Sequence, residues 1–337
     1  MPDATAALVA PVLAFAGIVS ALALALRRGR AALPLDRPNE RSLHRVPVPR
    51  IGGMAMMAVL LPIALALLPG PQPWLGPVAL LAVVSAIDDF RGLPVAVRLG
   101  TQALAAAWLL LALPPAPGLT GPMLPAAFVV AWLATIWMSN LYNFMDGSDG
   151  LAGGMTLFGF AFLGIAALWG GNTAVAAAGG SVAAAAAAFL IFNFAPARVF
   201  MGDAGSVPLG FLAAALSLQG ALDGLWHPLF ALLVFSPFIV DATVTLARRA
   251  LRRERVWQAH REHYYQRVIR MGASHRTTAL AEYALMAAAG ASALWAHASG
   301  RHALAAAAWA AIYVAIAAAI DLRWRRGGSV PRGDARR

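Results

Sequence analysis

The sequence predicts an all-α polytopic integral membrane protein, and three observations carry that reading. Hydrophobic residues make up 60% of the chain and charged residues only 12%, more apolar surface than a soluble domain of 337 residues could bury. The apolar residues come in runs approaching the roughly 20 residues of helix that a bilayer crossing needs. Despite a net charge of +11, the cations, all of them arginine, stand in blocks between those runs. That is the pattern of topology signals, and it argues against nucleic acid as a partner. Cysteine and lysine are absent, which excludes disulfides, thiolate metal sites, a P-loop and a Schiff-base lysine.

Breaking the chain at its proline, glycine and charge clusters gives eleven expected transmembrane helices, near 6–26, 51–68, 74–88, 99–113, 124–142, 151–169, 173–192, 207–219, 225–247, 277–297 and 303–320. The first has Asp3 before it and Arg27, Arg28 and Arg30 after it. This reverses the charge order of a signal peptide, so the run reads as an uncleaved helix with its N-terminus outside. The runs 74–88, 99–113 and 207–219 are short, with ends that can extend through flanking polar residues. An odd number of spans then puts the C-terminus in the cytoplasm. The arginines test this independently: 25 of the 26 fall in segments assigned inside, and only Arg301 falls outside. The alanine-rich runs 183–188 and 303–308 read as surfaces for close helix packing. The whole is expected to be one membrane-embedded domain, 1–337. Its cytoplasmic loops 27–50, 88–98, 143–151, 193–206 and 248–276 form the site, and 321–337 is a basic tail.

In a chain this apolar a carboxylate is costly unless it meets water, a cation or a ligand. The topology brings Asp88, Asp89, Asp146, Asp149, Asp203, His260 and His263 to the cytoplasmic face. Adjacent aspartates such as Asp88 and Asp89 repel unless a cation sits between them, and a hard cation with oxygen ligands suits the setting. The turns around Asp146 to Gly150 and Met201 to Ser206 admit two readings. They are plain helix connections with aspartate caps and permissive glycines, or loops whose N–H groups approach a phosphate while a carboxylate holds its metal. His260 and His263, with Arg261 between them, suit an anion-binding loop better than zinc, because only two ligands are local. A positive segment gripping acidic lipid accounts for the same arginines. Asp241 and Glu282 fall inside expected spans and need partners.

Six segments appear in one order: Asp36 to His44, Pro47 to Gly53, Asp88-Asp89, Asn143 to Gly150, Asn193 to Ser206 and Ala259 to Arg267. Over roughly residues 36–267 the chain thereby resembles the polyprenyl-phosphate N-acetylhexosamine-1-phosphate transferases (glycosyltransferase family 4). The resemblance implies transfer of a sugar-1-phosphate from a UDP-sugar to undecaprenyl phosphate with release of UMP, in a bacterial inner membrane, initiating a cell-surface polysaccharide such as O-antigen. Carried over residue by residue, it makes Asp203 the ligand of magnesium (Mg²⁺, with Mn²⁺ as substitute) and Asp88 and Asp89 the catalytic pair. Asn143, Asp146 and Asp149 would lie along the nucleotide, with Phe200 stacked on uracil. Arg50, Arg98, Asn193 and the His260, Arg261, His263 loop would line the diphosphate and sugar. A homodimer is compatible with it. Arginine stands at Arg50 and Arg98 where some members have lysine, and the contiguous histidines of the muramoyl-peptide enzymes are missing.

The acceptor phosphate has a second pKa near 6 and needs no strong base. A single in-line step is therefore expected, with Asp88 orienting the acceptor; a covalent aspartyl intermediate is the rival. Tyr264 and Tyr265 suggest a pocket that tolerates a 6-deoxy-N-acetylhexosamine. The competing classes are an ion-coupled transporter, which would bind its cargo near the bilayer midplane, and a non-catalytic scaffold for glycan assembly.

Overall fold

The structure is a computed structural model, and it describes residues 2–28, 34–36, 47–115, 120–256, 258 and 260–327. Of the segments that carry the resemblance, residues 37–46 and Ala259 lie outside the described residues, as does the tail beyond 327. Thirteen helices and one small two-stranded sheet are described: α1 (Pro2–Arg27), β1 (Leu35–Asp36), β2 (Val48–Pro49), α2 (Gly52–Leu67), α3 (Leu75–Arg91), α4 (Val95–Ala112), α5 (Met123–Phe144), α6 (Leu151–Trp169), α7 (Thr173–Asn193), α8 (Asp203–Leu222), α9 (Pro228–Val234), α10 (Ser236–Leu251), α11 (Tyr264–Arg270), α12 (His275–Ser299) and α13 (His302–Gly327). The strands pair antiparallel, Leu35 opposite Pro49.

Every expected span contains a described helix, and the chain is an all-α polytopic membrane protein. Eight of the described helices are long and apolar enough to cross a membrane, nine if α9 and α10 form one bent span. The short expected spans grew as their polar flanks allowed: α4 starts at Val95 and takes in Arg98, and α8 starts at Asp203. α2 and α3 are shorter, at 16 and 17 residues.

Burial sorts the helices into a centre and a rim. In α6, α7 and α8, 67 to 72% of the span is buried, against 17 to 22% in α1, α4, α5 and α13. The central helices are rich in glycine and alanine, which lets their backbones approach closely. Ala185, Ala186 and Ala188 of the first alanine run are fully buried. The second run differs: of residues 303–308 only Ala305 is buried, and the others face outward or lie half-covered on the peripheral α13.

The expected ninth span, 225–247, is broken at Phe235, where α9 and α10 meet at 78°. Proline at Pro237 has no N–H and clashes with the preceding turn, so a helix cannot pass through it straight. Ser236 Oγ donates to the Leu233 carbonyl at 2.6 Å and lies 2.7 Å from Tyr313 Oη, satisfying polar groups at the break.

Candidate active site

The site lies where the ends of α3, α5 and α7 meet the starts of α4, α6 and α8. Its floor is a backbone zipper. Phe200 N–H donates to Pro49 O (2.8 Å), Gly52 N–H to Phe200 O (2.9 Å) and Gly53 N–H to Met201 O (2.8 Å). A Cβ on Gly53 would sit 2.1 Å from Gly205 N, so only glycine allows this contact. The zipper holds Arg50 beside the start of α8, and Arg50 also pairs with Asp36 at 2.8 Å. Half-buried Phe200 is part of the same zipper.

The two adjacent aspartates have different jobs. Asp89 turns to α8 and accepts the N–H groups of Asp203 (3.0 Å, Oδ1) and Ala204 (2.9 Å, Oδ2). It therefore caps α8 from another helix, where the helix dipole favours an anion. Asp88, itself buried, turns to the cleft. It accepts Leu93 N–H, and its Oδ2 stands 3.4 Å from Arg98 Nη1. The same Arg98 nitrogen is 3.7 Å from Asp203 Oδ2. Asn143 Nδ2 donates to Asp203 Oδ1 at 2.8 Å and to Ser206 Oγ at 3.0 Å, which fixes the Asp203 carboxylate. Asp88, Arg98, Asn143 and Asp203 thus line one cleft of about 540 Å³, together with Gln102 and Asn140.

Asp146 completes a group of four carboxylates. Burial pushes its pKa well above the usual carboxylate range, and the charges of Asp203 and Asp89 push the same way against Arg50 and the Gly202 N–H. Carboxylates crowded like this raise one another's pKa unless a cation lies near.

Asp149 and Asn193 stand behind the cleft as structural ties. Asp149 Oδ2 accepts Ala197 N–H (3.0 Å). Buried Asn193 accepts Gly150 N–H (2.9 Å) and donates to Val199 O (2.9 Å), so both ends of its amide are engaged. Together they bind the Asp146–Gly150 turn to the segment before Asp203.

The histidine loop packs on the other side of that turn. Asp241, which had no partner in the sequence reading, accepts the N–H groups of Tyr264 (2.9 Å) and Tyr265 (3.0 Å) and meets His263 Nδ1 at 3.2 Å. It anchors the start of α11. His263 is only 3% exposed and stacks on Phe144, with ring centroids 6.2 Å apart. His260 lies 4.8 Å from the His263 ring. Burial, then the neighbouring His263 and Arg249 charges, lower the His260 pKa to about 4. Half-buried Arg261 accepts Arg270 Nη1 through its carbonyl (3.1 Å).

The two tyrosines that suggest a pocket for a 6-deoxy sugar, Tyr264 and Tyr265, do not face open space. Both are buried, and Tyr265 Oη donates to Phe144 O at 3.1 Å. Three contributors went unnoticed in the sequence. Gln102, buried on α4, accepts Asn140 Nδ2 at 2.6 Å. Tyr283 donates to Gly150 O at 2.7 Å. Ser148 Oγ lies 2.9 Å from His275 Nδ1. Gln102 was visible as the one hydrogen-bonding amide in the apolar stretch 102–112 of α4; the others gave no local signal.

Among the described residues no three His, Cys, Asp or Glu side chains converge into a ready metal cage. The donors that face the cleft, Asp203 and Asp88, are oxygen only. They fit a hard ion that keeps water and takes its remaining ligands from substrate phosphates, which is how Mg²⁺ usually binds.

Beyond the cleft the same helices carry an apolar groove of about 1960 Å³. It is lined by Leu110 and Leu111 of α4, Phe128 to Met138 of α5, Ala214 to Leu222 of α8, and α9 and α10. On α5 the groove reaches Met138 and the cleft begins at Asn140, two residues on and about 3 Å along the axis.

The sequence profile of glycosyl transferase family 4 matches residues 72–221. The chain is 27% identical over 262 residues to the probable undecaprenyl-phosphate N-acetylglucosaminyl 1-phosphate transferase of Bacillus subtilis, covering 74% of this chain and 73% of that protein. It is 30% identical over 309 residues to the decaprenyl-phosphate N-acetylglucosaminephosphotransferase of Mycobacterium tuberculosis H37Rv, covering 77% and 74%. A shorter stretch of 92 residues is 40% identical to the phospho-N-acetylmuramoyl-pentapeptide-transferase of Staphylococcus carnosus, covering 27% and 28%. With two of these likenesses extending over about three quarters of both chains, this protein belongs to glycosyl transferase family 4.

Proposed function

We propose that the protein transfers an N-acetylhexosamine-1-phosphate from a UDP-sugar to a polyprenyl phosphate, releasing UMP, at the cytoplasmic face of a bacterial inner membrane. The observation that carries this is the Asp203 carboxylate, held by Asn143 beside Arg98 and Asp88 at the head of a long apolar groove. An anionic reaction centre and an apolar channel on the same three helices suit an acceptor with a phosphate head and an isoprenoid tail. The relatives, named for undecaprenyl- or decaprenyl-phosphate, support the same class of acceptor. The arginine distribution supports the orientation, with the cleft and the C-terminus inside and the N-terminus outside.

In this reading an acceptor phosphate oxygen attacks the β-phosphorus of the UDP-sugar in line. The new P–O bond forms as the bond to the α-phosphate bridging oxygen breaks, and the electron pair leaves with UMP. Arg98 and Arg50 reduce repulsion between the two anions. Asp88, held by Leu93 N–H and Arg98, orients the acceptor. Asp89 positions Asp203 through the start of α8. Bound Mg²⁺, held by Asp203 with Asp88 beside it, would neutralise phosphate charge.

The donor is an N-acetylhexosamine in this account, and UDP-GlcNAc is the first to test. The preference for a 6-deoxy sugar loses its physical ground once Tyr264 and Tyr265 are engaged in packing. The broken α9–α10 span favours a transporter reading, but its carboxylate, Asp241, is committed to the start of α11. UMP release from a panel of UDP-sugars with purified enzyme and undecaprenyl phosphate decides among these. Release requiring both substrates supports the transferase; its absence with every donor overturns it.

A further inference from the structure

We propose that the pocket between α10, α11 and α13 binds the phosphodiester headgroup of an anionic phospholipid. Arg248, Arg252, Arg267 and Arg325 line about 860 Å³ of space with Asp321 and Trp324. Asp321 is the one carboxylate among these lining residues, and Glu262 stands 3.8 Å from Arg267 behind them. Asp321 is shared between Arg248 (2.6 Å) and Arg267 (2.9 Å), while Arg252 turns to Glu254 at 2.9 Å and to Glu262. Arg325 makes no ion pair among the described residues, so the pocket keeps an excess of positive charge.

Its position points to a lipid. The apolar run of α13 ends at Ile320, directly before the pocket's own Asp321, and α10 ends at Leu251, which is 84% exposed at the rim. The pocket thus sits where the apolar belt gives way to charge, the depth of a headgroup, and tryptophan favours that depth too. Trp324 is held in place by Arg270 and Arg267, at 4.9 and 5.8 Å from its ring centroid. A phosphodiester offers one charge and paired oxygens to guanidinium forks, and its acyl chains would leave along Leu251 and α13. Beneath Arg248 and Arg267, each 5.3 Å from its ring, Tyr264 has a buried hydroxyl with no partner among the described residues. α11 carries Arg267 on the pocket side and Tyr265 against Phe144 on the cleft side, so the two sites share one short helix.

The test is binding by the full chain in detergent, followed by native mass spectrometry, with phosphatidylglycerol, phosphatidylcholine and inorganic phosphate as separate arms. Phosphatidylglycerol is expected to bind well above phosphatidylcholine. Arg248→Gln with Arg325→Gln is expected to weaken it about tenfold or more. Arg276→Gln, an exposed arginine on α12 outside the pocket, should change nothing. Arg325→Gln alone gives the same direction should the double variant fail to fold. Equal binding of the two lipids, an equal loss in Arg276→Gln, or inorganic phosphate bound as tightly as the lipid would each overturn the proposal. None of these readouts depends on transferase activity.

Discussion

The carboxylate of Asp89 accepts the N–H groups of both Asp203 and Ala204, so α3 caps α8 across 114 residues of sequence. Replacing Asp89 with alanine removes both acceptors at once. The expected cost is about 1–2 kcal/mol of stability, the value of a lost cap, together with loss of activity. Asp89→Asn keeps one acceptor oxygen of the two and should recover only part of the thermal midpoint. An unchanged midpoint in Asp89→Ala would show that the cap does not hold α8.

Asn193→Ala separates a tie from a substrate contact. It leaves Gly150 N–H and Val199 O without partners in a buried setting, which costs about 1–3 kcal/mol for an unsatisfied group. Stability and kcat should fall while KM for the UDP-sugar stays close to wild type. A large rise in KM at unchanged stability would instead make Asn193 a substrate ligand.

Gly53→Ala tests the zipper under the cleft. Its Cβ would overlap Gly205 N and Cα, at 2.1 and 2.3 Å. Because both partners are backbone, relief requires moving α8 away from Arg50. Overpacking of this kind costs about 1–3 kcal/mol, and activity should fall with it. A fully active, equally stable variant would mean that the two segments are not in contact.

His260 gives a pH prediction with a definite sign. Its pKa falls from 6.5 to about 4 on folding, chiefly through burial. Between these values the unfolded chain binds the extra proton, so stability contributed here rises with pH across the window and is complete above it. His260→Gln should flatten the decline of the thermal midpoint on acidification from pH 6.5 to 4. A midpoint that falls as steeply in the variant as in wild type contradicts the assignment.

The apolar runs, the blocks of arginine and the recurrence of aspartates at span ends were legible because each is a local pattern. Asp203, Asp88, Arg98 and Asn143 do line one cleft. Other assignments needed distances between segments. Whether Asn193 contacts a ligand or ties two loops depends on Gly150 and Val199, and no spacing in the chain reveals that. Tyr264 and Tyr265 were open to a sugar on paper because burial by Arg248, Arg267 and Phe144 is tertiary. The break at Phe235 had a visible cause in Pro237, but in the sequence that proline was equally compatible with a kink inside one long span.

The most direct test is UMP release by the purified wild type and by Asp203→Asn, each with UDP-GlcNAc, undecaprenyl phosphate and a magnesium titration. Asp203 begins α8, and its carboxylate is fixed by Asn143 at the cleft mouth, so it should carry little packing. The account predicts acceptor-dependent, magnesium-dependent UMP release from the wild type. It predicts none from a variant that keeps the wild-type thermal midpoint. Magnesium-dependent turnover at the wild-type rate in Asp203→Asn would contradict it.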